Sequence, residues 1–302
     1  MKTLTTAAGI ALAFFAGSAL AADLPSRKAA PVYVPPPPPA TWNGLYGGVN
    51  IGYGFGDSSR EQGGISYIKG TTPAAGIAPI ASVLPVGSGW SVPQNLNGVL
   101  GGGQVGYNWQ YNPWLVVGLE SDLQASDVHS TVFGGAGVLD ATGAHLQSGN
   151  STKSVDWFGT VRGRIGVTFP SMPSLLVYGT GGFAYGQVVH NVSMADTFAG
   201  GLGATAVASG NYDQTRTGWT VGGGVEYMLT GFHPLLNNFS VKIEYLYTDL
   251  GTTNTIALPL TGTAAGAIFV GNQISPTRFH TVRAGLNWHF NPFAGAPVLA
   301  KY

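Results

Sequence analysis

Apolar and polar side chains alternate along residues 283–290. Arg283, Gly285, Asn287 and His289 fall on one face of an extended chain, and Ala284, Leu286, Trp288 and Phe290 on the other. A period of two marks a strand whose faces meet different surroundings. Here the apolar face carries the aromatics and the polar face carries a charge. A strand whose outer face meets lipid and whose inner face meets a polar lumen reads this way. Segments 44–55, 99–110, 114–126, 154–169, 175–189, 216–229, 239–250 and 277–290 show the same alternation. Each has the length, about 9–11 residues, that a tilted strand needs to cross a bilayer.

The connections alternate in length. Segments 111–113, 170–174 and 230–238 are short, whereas 56–98, 127–153, 190–215 and 251–276 are long. Short turns at one end and long loops at the other predict an all-β fold, an eight-stranded antiparallel up-and-down transmembrane barrel. On this reading the long loops are extracellular and both termini periplasmic.

The charges follow the same alternation. Glu120, Asp122 and Gln124 face away from Val117, Leu119 and Leu123. Asp156, Thr160, Arg162, Arg164 and Thr168 oppose Trp157, Val161, Ile165, Val167 and Phe169. Thr220 and Glu226 oppose Trp219, Val221, Val225 and Tyr227, and Lys242 and Glu244 oppose Val241, Ile243, Tyr245 and Tyr247. With Arg283 this places four acids (Glu120, Asp122, Glu226, Glu244) and four bases (Arg162, Arg164, Lys242, Arg283) in the lumen. An eight-stranded barrel is just wide enough to be filled by side chains. Equal numbers of both signs suit a closed, ion-paired interior, and the alternative use is the lining of a narrow solute path. Inward Gly106, Gly222, Gly224 and Gly285 are expected to make room for the long basic side chains. Asp249 and Arg278 fall on the outward phase, at the expected extracellular rim.

The aromatics gather toward the strand ends, as interfacial girdles do. Trp109, Trp114, Phe169, Tyr227, Phe239, Trp288 and Phe290 mark one end. Tyr53, Phe55, Trp157, Tyr185, Trp219 and Tyr247 mark the other.

Composition excludes several classes. No run of 18 apolar residues follows the N-terminus, which argues against helical membrane spans. Only 9% of residues are charged, the net charge is zero and there is no Cys. No basic footprint suggests nucleic acid, and disulfides and thiolate metal sites are excluded. At the start, Lys2, the apolar stretch 7–16 and Ala19-Leu20-Ala21 predict a signal peptide over 1–21. Residues 22–43, with Pro35 to Pro39, predict an extended periplasmic linker. The barrel is then 44–290 and a periplasmic tail 291–302. The small-residue stretch 74–81, with Thr71 and Thr72, predicts a mobile, non-catalytic surface loop.

Several motifs carry a family resemblance. Trp42-Asn-Gly-Leu-Tyr-Gly-Gly48 resembles the first strand of the alphaproteobacterial outer-membrane immunogenic proteins, small porin-family barrels of eight strands. Gly102-Gly-Gln-Val-Gly-Tyr-Asn-Trp-Gln110 and Gly118-Leu-Glu-Ser-Asp122 are similar to the second hairpin. Asp156-Trp-Phe-Gly-Thr-Val-Arg-Gly-Arg-Ile-Gly166, Tyr178-Gly-Thr-Gly-Gly-Phe-Ala184, Gly218-Trp-Thr-Val-Gly-Gly-Gly-Val-Glu226 and Glu244-Tyr-Leu-Tyr-Thr-Asp249 match later strands. Gly285, Trp288 and Phe290 resemble the C-terminal signal read by the bacterial outer-membrane assembly machinery, although Phe290 is followed by 291–302. The resemblance implies a Gram-negative surface antigen in contact with outer-membrane lipid and lipopolysaccharide. It also implies that some relatives act as porins and some bind haemin.

Four functions are weighed. A structural and surface barrel, with no cofactor, fits the compensated lumen. A narrow channel for ions or small solutes would be told apart by conductance. An enzyme needs a nucleophile–base pair, for which His280 beside Ser275 is the only candidate on a strand. Haem or metal capture would draw on His129, His145, His190 and Met194, expected in or beside extracellular loops without metal-ligand spacing; His233 and His289 are expected at the periplasmic side. Self-association is compatible with the sequence, which names no partner copy.

Overall fold

A computed structural model describes residues 42–67, 89–140, 143–198, 205–259 and 269–290. The expected leader, most of the proline linker, the 74–81 stretch and the 291–302 tail lie outside these residues.

Ten strands form one antiparallel sheet. They are β1 (Gly44–Gly56), β2 (Arg60–Tyr67), β3 (Trp90–Pro93), β4 (Gly98–Gln110), β5 (Leu115–Asp140), β6 (Gly143–Phe169), β7 (Met172–Phe198), β8 (Thr205–Met228), β9 (Phe239–Pro259) and β10 (Phe269–Phe290). Strands β1 and β4 to β10 make a ring of eight, closed where β1 pairs with β10 from Leu45↔Phe290 to Gly56↔Phe279. Over the lower segments closure leaves no free edge, the condition for a sheet to sit in lipid, whereas β8 and β9 part between Ser209 and Trp219 higher up. The eight spanning segments read from the sequence are these eight strands.

The expected long loops differ from the structure. Segments 127–153, 190–215 and 251–276 largely continue as strands, so β5 to β10 rise as a wall well beyond bilayer length. Within 56–98, β2 and β3 join the sheet beside β10 and take the places of β1 and β4 in the tall part of the ring. These extensions are rich in Gly, Ala, Ser and Thr, whose alternation is too weak to read as strand without the partner.

On the lower part of the ring the outward face is apolar and exposed, with Val49, Ile51, Val105, Leu119, Ile165, Val221, Ile243 and Leu286 among its members. Farther up, polar residues such as Thr152, Asn191, Ser193, Asn211 and Asn254 take many of the outward positions, interspersed with Phe133, Leu146 and Ile256. The apolar belt is the membrane-facing zone.

Two local irregularities switch the alternation. A bulge at Asp156, between Val155 and Trp157, inserts one residue into β6. Asp156, expected in the lumen, therefore points outward and accepts a hydrogen bond from Ser154 Oγ at 2.8 Å. Above the bulge the odd-numbered residues Val155, Lys153 and Ser151 face inward, since one extra residue exchanges the two faces. In β9, Gly251 adopts φ 81°, a left-handed conformation suited to glycine, and Thr253, Thr255 and Ala257 face inward beyond it.

Trp42 also departs from the expected linker. It is fully buried and belongs to the barrel base: its backbone N–H donates to Gln110 Oε1 and its indole N–H to the Pro173 carbonyl.

Candidate functional site: the filled lumen

The lumen is stacked in layers along the barrel axis. At the turn end, Trp42, Val116, Leu176, Tyr178 and Met228 form an apolar floor. Above it lie the eight charges marked out by the alternation, each at most 3% exposed.

Those charges form one network. Arg162 is its centre, with Nη2 at 2.5 Å from Glu120 and 2.8 Å from Asp122, and Nη1 at 3.0 Å from Glu244. Lys242 Nζ donates to both Glu120 oxygens at 2.9 Å. Arg283 bridges Asp122, at 3.2 Å, and Glu244. Arg164 pairs with Glu226 at 2.8 Å and lies 4.0 Å from the centre of the Tyr178 ring. Neutral groups complete the shell. Tyr46 donates to Glu120 at 2.7 Å and accepts from Arg164, while Ser240 and Asn287 donate to Glu226. Four positive and four negative groups meet with no excess of either sign. Buried charges persist when paired and hydrogen-bonded in this way.

The glycines do more varied work than providing space for basic side chains. Gly285 faces Lys242, but a side chain at Gly106 would meet Tyr46, at Gly222 the Leu246 side chain, and at Gly224 the Tyr178 hydroxyl.

A second apolar layer seals the network from above. Leu96, Leu100, Val128, Val155, Phe158, Ala184, Val188, Leu250 and Phe279 pack together inside the barrel. Phe158 and Phe279 meet edge to face at 5.3 Å. Packed hydrocarbon in the lumen is a barrier to ions, because a charge against it has no partner.

Above that layer lies a polar chamber that alternation did not predict. Glu61 of β2 accepts from Gln94 Nε2 at 2.7 Å, from Ser275 Oγ at 3.0 Å and from Gln273. His190 Nε2 lies 2.7 Å from Ser151 Oγ and 3.5 Å from Glu61, and its Nδ1 lies 2.6 Å from Thr255 Oγ1. Lys153 completes the chamber. A third apolar layer, Ile65, Trp90, Val192, Met194, Ala208 and Ala257, covers it.

The candidate catalytic and ligand histidines are distributed differently from expectation. His129, His145 and His190 stand on β5, β6 and β7 rather than in loops. His129 is exposed beside Asp127, whereas His190 is fully buried, so these two do not converge on a ligand. Ser275 turns inward to Glu61, while His280 faces outward, stacked on Phe55 and 2.7 Å from Tyr245 Oη. The Ser151–His190–Glu61 contact also differs from a nucleophilic relay. Such a relay puts the acid and the hydroxyl on opposite ring nitrogens, and here both approach Nε2, with Thr255 on Nδ1. His233 caps the short turn helix Pro234–Leu236. His289 lies 3.3 Å from Glu226. Asp249 and Arg278 form an ion pair of 3.0 Å on the outside. In β10, Trp288 and Phe290 point outward and Gly285 inward.

Residues 9–290 match the family model for the outer membrane protein beta-barrel domain. The chain is 35% identical over 283 residues to the 31 kDa outer-membrane immunogenic protein of Brucella melitensis, covering 92% of this chain and 96% of that one. It is also 35% identical over 150 residues to the 22 kDa outer membrane protein of Rhizobium leguminosarum, covering 49% of this chain and 52% of that one. Among solved structures, the outer membrane protein OprG from Pseudomonas aeruginosa aligns over 82% of this chain and 97% of its own at 11% identity, with a TM-score of 0.36.

Proposed function

From a chain that belongs to the outer-membrane protein β-barrel family, we propose a closed structural and surface barrel rather than a conduit. The lumen's second apolar layer carries this reading. A network of fixed, mutually neutralised charges with hydrocarbon packed above it offers an ion no hydrated path. Open aqueous channels come with about 16–18 strands, where side chains no longer fill the interior.

In this proposal the tall polar wall stands outside the cell and the short turns face the periplasm, with both termini. That is the usual arrangement of bacterial barrels. The wall is then the antigenic face, in keeping with the immunogenic name of the Brucella relative. Outer-membrane lipid and lipopolysaccharide surround the apolar belt, and Trp288 and Phe290 of the last strand meet the assembly machinery.

Planar-bilayer recording of the refolded mature chain tests the closed lumen, with heat-modifiable gel mobility as the measure of folding. A silent, folded barrel is the expected result. Discrete, reproducible steps would overturn it in favour of a narrow pore, and Glu120, Arg162, Arg164 and Glu226 would be the first positions to change.

A further inference from the structure

Strands β2 and β3 form a strap across the tall end of the barrel. On one side β2 pairs with β10 from Gln62↔Ile274 to Tyr67↔Phe269. On the other side, among the described residues, β3 pairs only with β2, and the approach to β5 is a single bridge between Asn97 and His129. The strap is held by what it inserts. Trp90 enters a slot floored by glycines: a Cβ at Gly63, Gly134 or Gly149 would collide with its indole. Glu61 and Gln94 enter the polar chamber beneath it.

Lys153 of β6 is fully buried beneath the same end of the barrel, where Glu61 of the strap acts on it. Its Nζ donates to the Ser275 carbonyl at 2.9 Å, the Pro276 carbonyl at 3.2 Å and Thr277 Oγ1 at 3.1 Å. All three acceptors are uncharged. The charges that act on the amine are Glu61 from β2 and Arg216 from β8. His190 from β7 faces the same Glu61. The elements β9, β10 and the end of the strap present Thr255, Ser275, Thr277 and Gln94 to the chamber. Once its extra proton has left, the amine keeps two N–H donors for the Ser275 and Pro276 carbonyls and its lone pair accepts from the Thr277 hydroxyl, so the neutral form stays satisfied in the buried chamber.

We infer that the strap closes with the release of one proton from Lys153, so that it tightens as pH rises and loosens as pH falls. Burial pushes the Lys153 amine down to about 7, with Arg216 acting in the same direction and Glu61 opposing. With the strap open, water reaches the amine and its value returns toward the ordinary 10.5. Between those limits the open state holds the extra proton. Rising pH therefore favours closure by about tenfold per pH unit, and below pH 7 this dependence levels off. Glu61 works in the same sense. Burial raises its carboxyl, but hydrogen bonds from His190 and Ser151 more than offset this and hold it below the ordinary value. Protonation of Glu61 in stronger acid thus loosens the strap further.

Amide hydrogen exchange of β2 in the full-length, detergent-folded barrel tests the coupling, with each rate divided by its free-chain rate at the same pH. In the parent, protection of β2 should climb about tenfold per pH unit from pH 7 to 9, while the membrane-level amides of β9 hold steady. Lys153→Met removes the proton and Lys153→Arg keeps its charge throughout, so both should show no climb. A flat parent, or a climb that survives in either variant, overturns the inference. If Lys153→Met does not assemble, Lys153→Arg decides alone.

Discussion

The indole of Trp42 donates a hydrogen bond of 3.0 Å to the carbonyl of Pro173, a residue on the far side of the barrel base. Trp42 thus ties the approach to β1 to the start of β7, and packs edge-on against His289 of β10 at 5.7 Å. Trp42 is therefore the stopper of the barrel base. Trp42→Ala removes the centre of the apolar floor and should lower stability by about 3–5 kcal/mol. Trp42→Phe keeps most of the packing and loses the hydrogen bond, for a loss of about 1 kcal/mol. The folded fraction on a gel across a urea series reads both. Equal losses for the two variants would mean that packing at the floor is not what Trp42 contributes.

Arg162 touches three carboxylates, so its removal leaves the lumen with one excess negative charge, Glu120 held by Lys242 while Asp122 and Glu244 share Arg283. Arg162→Met should lower stability by about 3–5 kcal/mol, the usual effect of leaving a buried charge without its partner. Adding Glu244→Gln to the same chain restores neutrality and should recover part of that loss, because residues in one network are not additive. The same urea series measures it. Losses that simply add would show the charges acting independently rather than as a network.

The sequence announced the network through period-two alternation, which works wherever a strand is regular. From Glu120 to Gln124, and from Arg283 to His289, every side chain lies on the face that its parity assigns. The chamber above was illegible for equally local reasons. Lys153 faces inward only because the bulge at Asp156 exchanges the faces of β6, and a one-residue insertion leaves no compositional mark. Glu61 sits in a stretch that reads as a loop, since β2 becomes a strand only through its pairing with β10 and β3. His190 lies beyond the bilayer length at which the spanning segment was expected to stop. Its burial depends on walls from β2, β6 and β9 that no single segment reveals.

The boundary between membrane and wall runs along β9, which makes that strand a ruler. Ile243 is 59% exposed on the apolar belt, and Asn254 is exposed on the same outer face past Gly251. A cation at Ile243 must be taken into hydrocarbon or drag water with it, whereas one at Asn254 stays in solvent. Ile243→Arg should therefore destabilise the folded barrel by roughly 2–4 kcal/mol, and Asn254→Arg by roughly 0–1 kcal/mol. Reversible unfolding in lipid vesicles measures the difference. The contrast depends on depth and not on side-chain contacts, since both positions point away from the lumen. Comparable effects at the two sites would move the bilayer edge up the wall and place the outward Thr, Ser and Asn positions within the membrane. The strap and its chamber would then lie within the bilayer as well.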